Sequence, residues 1–227
     1  MKKYQVFLTA AALIMIFAVS YGQKSVSKPN AGEKQVISRQ KLNPAHIPVG
    51  IRYMGNLVEA YKYADNTGEN IVITAETKVT TNEVEGGDFL SNKALYAHRF
   101  LKKNGKWEEV WKVYDMEFEC MNYPVAEFVK GALSITDIDN NGTAEIWLMY
   151  LKSCRGDVSP NSMFLRMYDN KDVYTMTGES KLSLPAEYGV AMGGKYTLDK
   201  KFLNKKTPPA FVDFAKSLWK KHIYGNG

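Results

Sequence analysis

Short runs rich in Val, Ile, Tyr, Phe and Thr, separated by turn residues, occupy most of the chain from Gly55 onward. This alternation is typical of consecutive antiparallel strands. Asn104-Gly105 gives the strongest hairpin signal, because both residues tolerate a positive φ, and Asn170-Lys171 indicates a second tight turn. The polar segment 81–88 is predicted to be a surface loop, and 123–130 fits a helical turn or an edge strand. Ten runs are predicted as strands: 57–63, 70–77, 94–102, 106–114, 117–120, 132–136, 145–151, 163–168, 173–177 and 195–198.

One helix is predicted, near the C-terminus. Thr207 is the expected N-cap, and Pro208 and Pro209 suit the first turn. Apolar residues then recur at helical spacing and form one stripe, which we expect to close over a face of the sheet: Phe211, Phe214, Ala215, Leu218 and Trp219. The predicted fold is mainly β, an antiparallel meander, a sandwich or a partial propeller-like sheet with one C-terminal amphipathic helix.

The N-terminus has the pattern of a removable secretory signal peptide over residues 1–22. Lys2 and Lys3 precede an apolar run of 14 residues, Val6 to Val19, which is shorter than the roughly 20 that span a bilayer. Ser20-Tyr21-Gly22 places small residues at −3 and −1 of a cleavage site. The alternative is an uncleaved anchor. We therefore expect an exported protein, in the periplasm, on the outer-membrane surface or outside the cell, with no transmembrane segment after signal cleavage.

Charge and composition divide the remaining chain. Residues 23–50 are polar and basic and are predicted to be a flexible leader, and residues 51–227 are predicted to be one β-rich domain with a closing helix. The net charge of +6 comes from the two ends, because residues 48–194 carry 15 basic and 21 acidic residues. A basic end could dock on an anionic surface or be a solvated face. Nucleic-acid binding is not expected, because no basic stripe is interleaved with aromatic residues.

Two cysteines, Cys120 and Cys154, are the only ones in the chain. An even number in an exported protein predicts one disulfide, and two buried free thiols are the alternative. The bridge would close a loop of about 34 residues.

The segment from Asp137 to Glu145 has the spacing of a metal-binding loop. Oxygen-bearing side chains alternate along it, which lets them converge on one cation, and Ca²⁺ prefers such ligands. Gly142 supplies a sharp turn. The loop is not an EF-hand, because Leu148 stands where a bidentate Glu is needed and the flanks alternate as strands. The alternative is a tight turn whose side chains satisfy backbone N–H groups. The predicted metal ligands are Asp137, Asp139, Asn141, Thr143 through its carbonyl, and Glu145.

The spacing of this loop resembles the strand–loop–strand calcium loops of FG-GAP and VCBS-type repeats. The whole set of motifs, D-x-D-x-N-G-x-x-E, then S-C-R-G-D-V-S-P and M-Y-D-N-K, resembles a family of exported bacterial proteins assigned to surface polysaccharide biosynthesis. The resemblance covers residues 53–222 and includes the turn D-N-T-G-E-N (residues 65–70) and the closing helix. It implies a role in lipopolysaccharide or other surface glycans, with a surface glycan or envelope assembly proteins as partners. Asn141 departs from the Asp that is common in such loops, which removes one charge.

Three functions are left open by the sequence. The first is a non-catalytic, calcium-binding protein that supports surface polysaccharide assembly. The second is a secreted adhesion or interaction module that uses Arg155-Gly156-Asp157, a tripeptide that also fits an ordinary turn. The third is a glycan-acting enzyme, for which Asp115, Glu117 and Glu119 are the available carboxylates. No catalytic residue is assigned, because none of the common hydrolase motifs is present.

Overall fold

The chain forms two antiparallel sheets and one helix near the C-terminus. The structure is a computed structural model, and it describes residues 37–182 and 192–226. The predicted signal peptide and the first part of the predicted leader lie outside the described residues. No helix of the described ranges is long and apolar enough to span a membrane.

The first sheet contains six strands: β1 (Arg39–Lys41), β2 (Asn56–Asp65), β3 (Gly68–Glu76), β4 (Thr80–Glu83), β5 (Phe89–Lys103) and β6 (Lys106–Cys120). Their order is β1-β2-β3-β5-β4, with β6 also paired to β5. The hairpin turn at Asn104 (φ 49°) and Gly105 (φ 78°) lies between β5 and β6, as predicted.

The second sheet also contains six strands: β7 (Tyr123–Phe128), β8 (Ser134–Thr136), β9 (Glu145–Arg155), β10 (Ser162–Asp169), β11 (Asp172–Glu179) and β12 (Tyr196–Leu198). Their order is β12-β11-β10-β9-β7, with β8 paired to β9. The predicted turn at Asn170 (φ 49°) joins β10 to β11.

Strand β9 is buried on both faces, which explains its almost uninterrupted apolar sequence. Ile146, Leu148 and Tyr150 pack in a core that includes Val72 and Leu95 of the first sheet. The alternate residues of β9 face the helix α1 (Pro209–Lys221) and form a second core: Trp147, Met149 and Leu151 with Phe211, Ala215, Leu218 and Trp219. The predicted closing helix is therefore confirmed, and it covers the second sheet.

The start of the helix differs from the prediction. Pro208 is the N-cap, and no side-chain hydrogen bond caps the helix. The hydroxyl of Thr207 instead donates to the carbonyl of Lys201 at 2.7 Å. The side chain of Thr207, which the sequence pattern assigns to the N-cap, is therefore bound to the loop before the helix instead.

Regular structure also begins earlier than the predicted leader boundary at residue 50. Arg39–Lys41 form an edge strand on β2, and a 3₁₀ turn follows at Pro44–His46. Leu42 is buried in a third core with Ile71 and Ile73, on the outer face of the first sheet. The flexible leader predicted for residues 23–50 is thus wrong for this part, because a few apolar residues in a polar segment are enough to cover that face.

Two strand and loop predictions also differ. The runs 106–114 and 117–120 form one strand, β6, whose pairing with β5 shifts register at two points. Thr80–Glu83, predicted to be largely loop, pairs with the end of β5. Of the two alternatives for the segment 123–130, the edge strand is the one observed: β7 lies at the edge of the second sheet, and its Pro124 pairs with Cys154.

Candidate metal centre

The loop between β8 and β9 brings three predicted metal ligands together. Oxygen atoms of Asp137, Asp139 and Glu145 all lie within 4.8 Å of one another. Asp137 is 2% exposed, Glu145 is fully buried, and Asp139 is half-buried. Pairing of β8 with β9 places Thr136 opposite Glu145, so the two ends of the loop meet. This acidic triad could hold a metal ion.

Asp137 has one carboxylate oxygen satisfied and one free. Its Oδ2 accepts the backbone N–H of Gly142 at 3.0 Å, whereas its Oδ1 is buried without a hydrogen-bond partner among the described residues. Burial raises the pKa of Asp137, and the nearby charge of Asp139 acts in the same direction. An unpaired buried carboxylate oxygen is costly, and a cation would satisfy it.

Glu145 is fixed by two hydrogen-bond donors at the base of the loop. Its carboxylate accepts the hydroxyl of Thr136 at 2.6 Å and the N–H of Ile138 at 2.9 and 3.0 Å. The indole N–H of Trp147 donates to the Thr136 hydroxyl oxygen at 2.8 Å, which fixes the direction of that hydroxyl. Burial raises the pKa of Glu145 to about 7. The carboxylate is thus held in one position and is readily protonated when no cation is bound.

Asn141 takes part in a turn within the loop. Its N–H and its side-chain amide donate to the two carboxylate oxygens of Asp139, at 3.1 and 2.9 Å. Its amide oxygen accepts the N–H of Thr143 at 2.7 Å. These contacts are of the kind expected from the turn alternative, and they engage the oxygen that Asn141 was predicted to offer a metal. The ligand roles of Asn141 and of the Thr143 carbonyl stay predictions.

A fourth carboxylate, which the sequence pattern did not reveal, lies close to the triad. Asp169 ends β10 and is paired in register with Glu145 of β9. Burial raises the pKa of Asp169, and the charges of Asp139, Asp172 and Asp137 raise it further. In the sequence, Asp169 belongs to a turn motif 24 residues after Glu145. Only the pairing of β9 with β10 could have indicated it.

The turn D-N-T-G-E-N between β2 and β3 holds the loop from the other sheet. The N–H of Asn66 donates to the carbonyl of Gly142 at 2.8 Å, and its side-chain amide donates to the carbonyl of Asn141 at 3.2 Å. Oδ2 of Asp65 accepts the N–H of Ala144 at 3.0 Å. This turn therefore positions the acidic loop through three hydrogen bonds to the backbone of the loop.

Arg99 of β5 provides the positive charge beneath this turn. Its guanidinium donates to Asn70 Oδ1 at 3.1 Å and to Thr67 Oγ1 at 3.0 Å, and it lies 3.8 Å from Oδ2 of the fully buried Asp65 side chain. The carboxylate of Asp65 is thus balanced by an arginine inside the protein. No such basic partner is recorded for Asp137, Asp139 or Glu145 among the described residues.

The disulfide between Cys120 and Cys154 is confirmed, with the two Cα atoms 5.5 Å apart. It joins the end of β6 to β9 and so links the two sheets. Arg155 follows it and is half-buried, whereas Gly156 and Asp157 are exposed. The carboxylate of Asp157 accepts the hydroxyl of Ser159 at 2.6 Å, as in an ordinary turn.

Two of the three carboxylates considered for an enzyme are bound to one lysine. Lys152 contacts Asp115 at 2.8 Å and Glu117 at 3.6 Å, and Asp115 also accepts the hydroxyl of Tyr150 at 3.0 Å. Glu119 is exposed and has a positive φ of 53°. Asp115, Glu117 and Lys152 form an ion-pair cluster between the sheets.

Taken together, the fold and the site define a two-sheet antiparallel β protein with a buried acidic loop that could hold a metal ion. Comparison of the chain with protein-family models, with curated proteins and with solved structures gave no match.

Proposed function

We propose that this chain is an exported, calcium-stabilised, non-catalytic envelope protein that supports the assembly of surface polysaccharide. One observation carries the calcium part of the proposal: Oδ1 of Asp137 is buried without a partner inside a triad of carboxylates. A bound cation would satisfy this oxygen and neutralise the mutual repulsion of the three groups.

Calcium is favoured by the chemistry of the donors. The triad and the neighbouring Asp169 offer only oxygen, which suits hard cations, and Ca²⁺ takes six to eight such ligands. Mg²⁺ is smaller and usually keeps several waters, so it gains less from a protein cage. Zinc sites are commonly built with Cys or His, and both cysteines of this chain are in the disulfide.

A structural role follows from where the loop lies. The acidic loop belongs to the second sheet, and it is clasped through Asn66 and Asp65 by a turn of the first sheet. A cation held by Asp137, Asp139 and Glu145 would fix the loop in the conformation that binds the turn of residues 65–70. Binding energy at this site therefore adds to the stability of the folded chain. The signal-peptide pattern of residues 1–22 supports export, and the family resemblance supports the link to surface glycans.

The test uses the mature chain stripped of metal with EDTA. We expect Ca²⁺ to raise the melting temperature, because a ligand that binds only the folded state at about 100 times its Kd stabilises by about 2.7 kcal/mol. Asp137→Asn combined with Asp139→Asn should abolish the shift. Asp88→Asn, an exposed change in the loop between β4 and β5, is the matched control and should leave the shift intact.

Calorimetric titration provides a second measurement, so that a poorly folding variant does not decide the question. The calcium proposal fails when neither metal analysis of the purified chain nor titration with millimolar Ca²⁺ detects binding. The polysaccharide role is tested by comparing the surface glycan of a deletion strain with that of the parent and of a strain complemented with the Asp137→Asn, Asp139→Asn variant. An unchanged glycan in the deletion strain contradicts that role.

A further inference from the structure

A cavity of about 340 Å³ lies at the opposite end of β9 from the acidic loop. It is bounded by β7, the end of β9, the segment 180–182 and the C-terminal residues 224–226. This volume is at the lower end of the range for small-molecule sites, about 300–1,000 Å³, and suits a ligand of one ring. The lining residues are Val125, Glu127, Leu151, Arg155, Asn161, Ser180, Lys181, Leu182, Tyr224 and Asn226.

The charged side chains that line the cavity within the described ranges carry an excess of positive charge. Among these described lining residues Glu127 is the one carboxylate, and it is paired with Lys93. Arg155 and Lys181 also line the cavity, and neither forms an ion pair or a side-chain hydrogen bond in the part of the chain that the structure describes. Two cations that line a partly enclosed space attract an anion. The planar guanidinium of Arg155 is suited to a carboxylate, which it can bind through two parallel hydrogen bonds.

The polar wall of the cavity is built by hydrogen bonds between neighbouring segments. Ser180 is 2% exposed, and its hydroxyl oxygen accepts the N–H of Asn161 at 3.1 Å. The side-chain oxygen of Asn161 is 2.7 Å from the hydroxyl of Ser153. Asn161, which directly precedes β10, is therefore held in place at the cavity wall. A fixed polar wall of this kind orients a ligand at little entropic cost.

The C-terminal wall is fixed in a similar way. Asn226 accepts the N–H of Lys130 at 2.9 Å and donates to the carbonyl of Phe128 at 3.1 Å, which ties the chain end to the region of β7. Tyr224, two residues earlier, is exposed, and Lys181 Nζ lies 5.9 Å from the centre of its ring. The ring thus offers a flat surface beside a positive charge.

We propose that this cavity binds a carboxylate carried on a six-membered ring. Arg155 and Lys181 hold the carboxylate, Tyr224 and the apolar side chains of Val125 and Leu151 contact the body of the ring, and Asn161 contributes polar contacts. An acidic sugar and an aromatic acid share this chemistry. The choice of an acidic sugar rests on the proposed function, whereas the preference for a ring-bearing carboxylate rests on the cavity itself.

The test is a titration of the folded mature chain in EDTA, followed by NMR shifts and calorimetry, with galacturonate, benzoate, galactose and phosphate as separate probes. We expect galacturonate to bind and neutral galactose to bind at least about tenfold more weakly, since a charged hydrogen bond contributes about 1.5–3 kcal/mol. Arg155→Gln and Lys181→Gln should each raise the Kd for galacturonate about tenfold. Lys171→Gln, in the exposed turn between β10 and β11, is the matched control and should leave the Kd unchanged.

Each outcome decides one point. Equal binding of galactose and galacturonate, binding of phosphate as tight as galacturonate, or no binding of either carboxylate overturns the proposal. Tighter binding of benzoate than of galacturonate supports the ring-bearing carboxylate and overturns the sugar as its source. The Arg155→Gln variant should keep its calcium-dependent rise in melting temperature, so loss of sugar binding in that variant and loss of calcium binding in the Asp137 variant are separate failures.

Discussion

Gly142 is the residue at which the acidic loop tolerates a side chain least. Its φ is +81°, and a Cβ built there would lie 1.9 Å from Nδ2 and 2.6 Å from Cγ of Asn66. Left-handed backbone costs a non-glycine residue about 1–2 kcal/mol. Displacing Asn66 also removes its hydrogen bond to the Asn141 carbonyl, worth about 0.5–1.5 kcal/mol. Gly142→Ala should therefore destabilise the chain by about 2–3 kcal/mol, or lower its melting temperature by about 5–10 °C.

Gly105 supplies an internal control for this prediction. Its φ is +78°, and a Cβ there would meet nothing within 4 Å. Gly105→Ala should thus show the backbone cost alone, about 1–2 kcal/mol. Chemical denaturation of the two variants measures the difference, and Gly142→Ala in an Asn66→Ala background should fall to the Gly105→Ala value. Equal losses for Gly105→Ala and Gly142→Ala in the parent chain would refute the argument that Asn66 clasps the loop.

Three further predictions follow from buried charge and from the disulfide. In EDTA, the free energy of unfolding should fall as the pH rises from about 4.5 to about 7, because the raised pKa of Glu145 lets the folded chain keep a proton that the unfolded chain releases. Denaturant titrations across this range should show a smaller fall in the Glu145→Gln variant. Arg99→Met should cost about 3–5 kcal/mol by leaving buried Asp65 unpaired, and adding Asp65→Asn should recover part of that loss in the same assay. Reducing the Cys120–Cys154 bond should cost about 3–4 kcal/mol for its 34-residue separation, and an unchanged melting temperature in reductant would contradict this.

Local patterns predicted the elements that are stabilised locally. The hairpin at Asn104-Gly105 needs only two residues with positive φ, and the sequence shows both. The stripe from Phe211 to Trp219 predicted the buried face of α1 because helical spacing alone defines that face. The edge strand at Arg39–Lys41 was not predicted, since its sequence lacks the usual apolar alternation. It forms because β2 supplies a partner, and Arg39 lies over the ring of Tyr61 at 4.7 Å.

The candidate site was predictable only where its residues lie on one segment of the chain. Asp137, Asp139 and Glu145 lie on one loop, so their spacing along the chain was enough to bring them together. Asp169 and Asp65 come from other strands, and their approach depends on strand pairing and on packing between the sheets. A single sequence gives no measure of either. The spacing of a loop therefore identifies its own ligands but not the groups that other strands place around it.

The two proposed sites lie at the two ends of one strand, and this separation leads to a last prediction. Glu145 begins β9 and Arg155 ends it, ten residues apart along an extended backbone, or about 33 Å at ~3.3 Å per residue. Charges that far apart are several Debye lengths from each other at physiological salt, where that length is about 8 Å. Loading the acidic loop with Ca²⁺ should therefore change the affinity of the cavity for galacturonate less than about twofold. This comparison uses the concentration of free galacturonate, corrected for the part that binds Ca²⁺ in solution. A larger change would mean that β9 transmits a conformational change between the sites, and would contradict the view that the cavity is preformed.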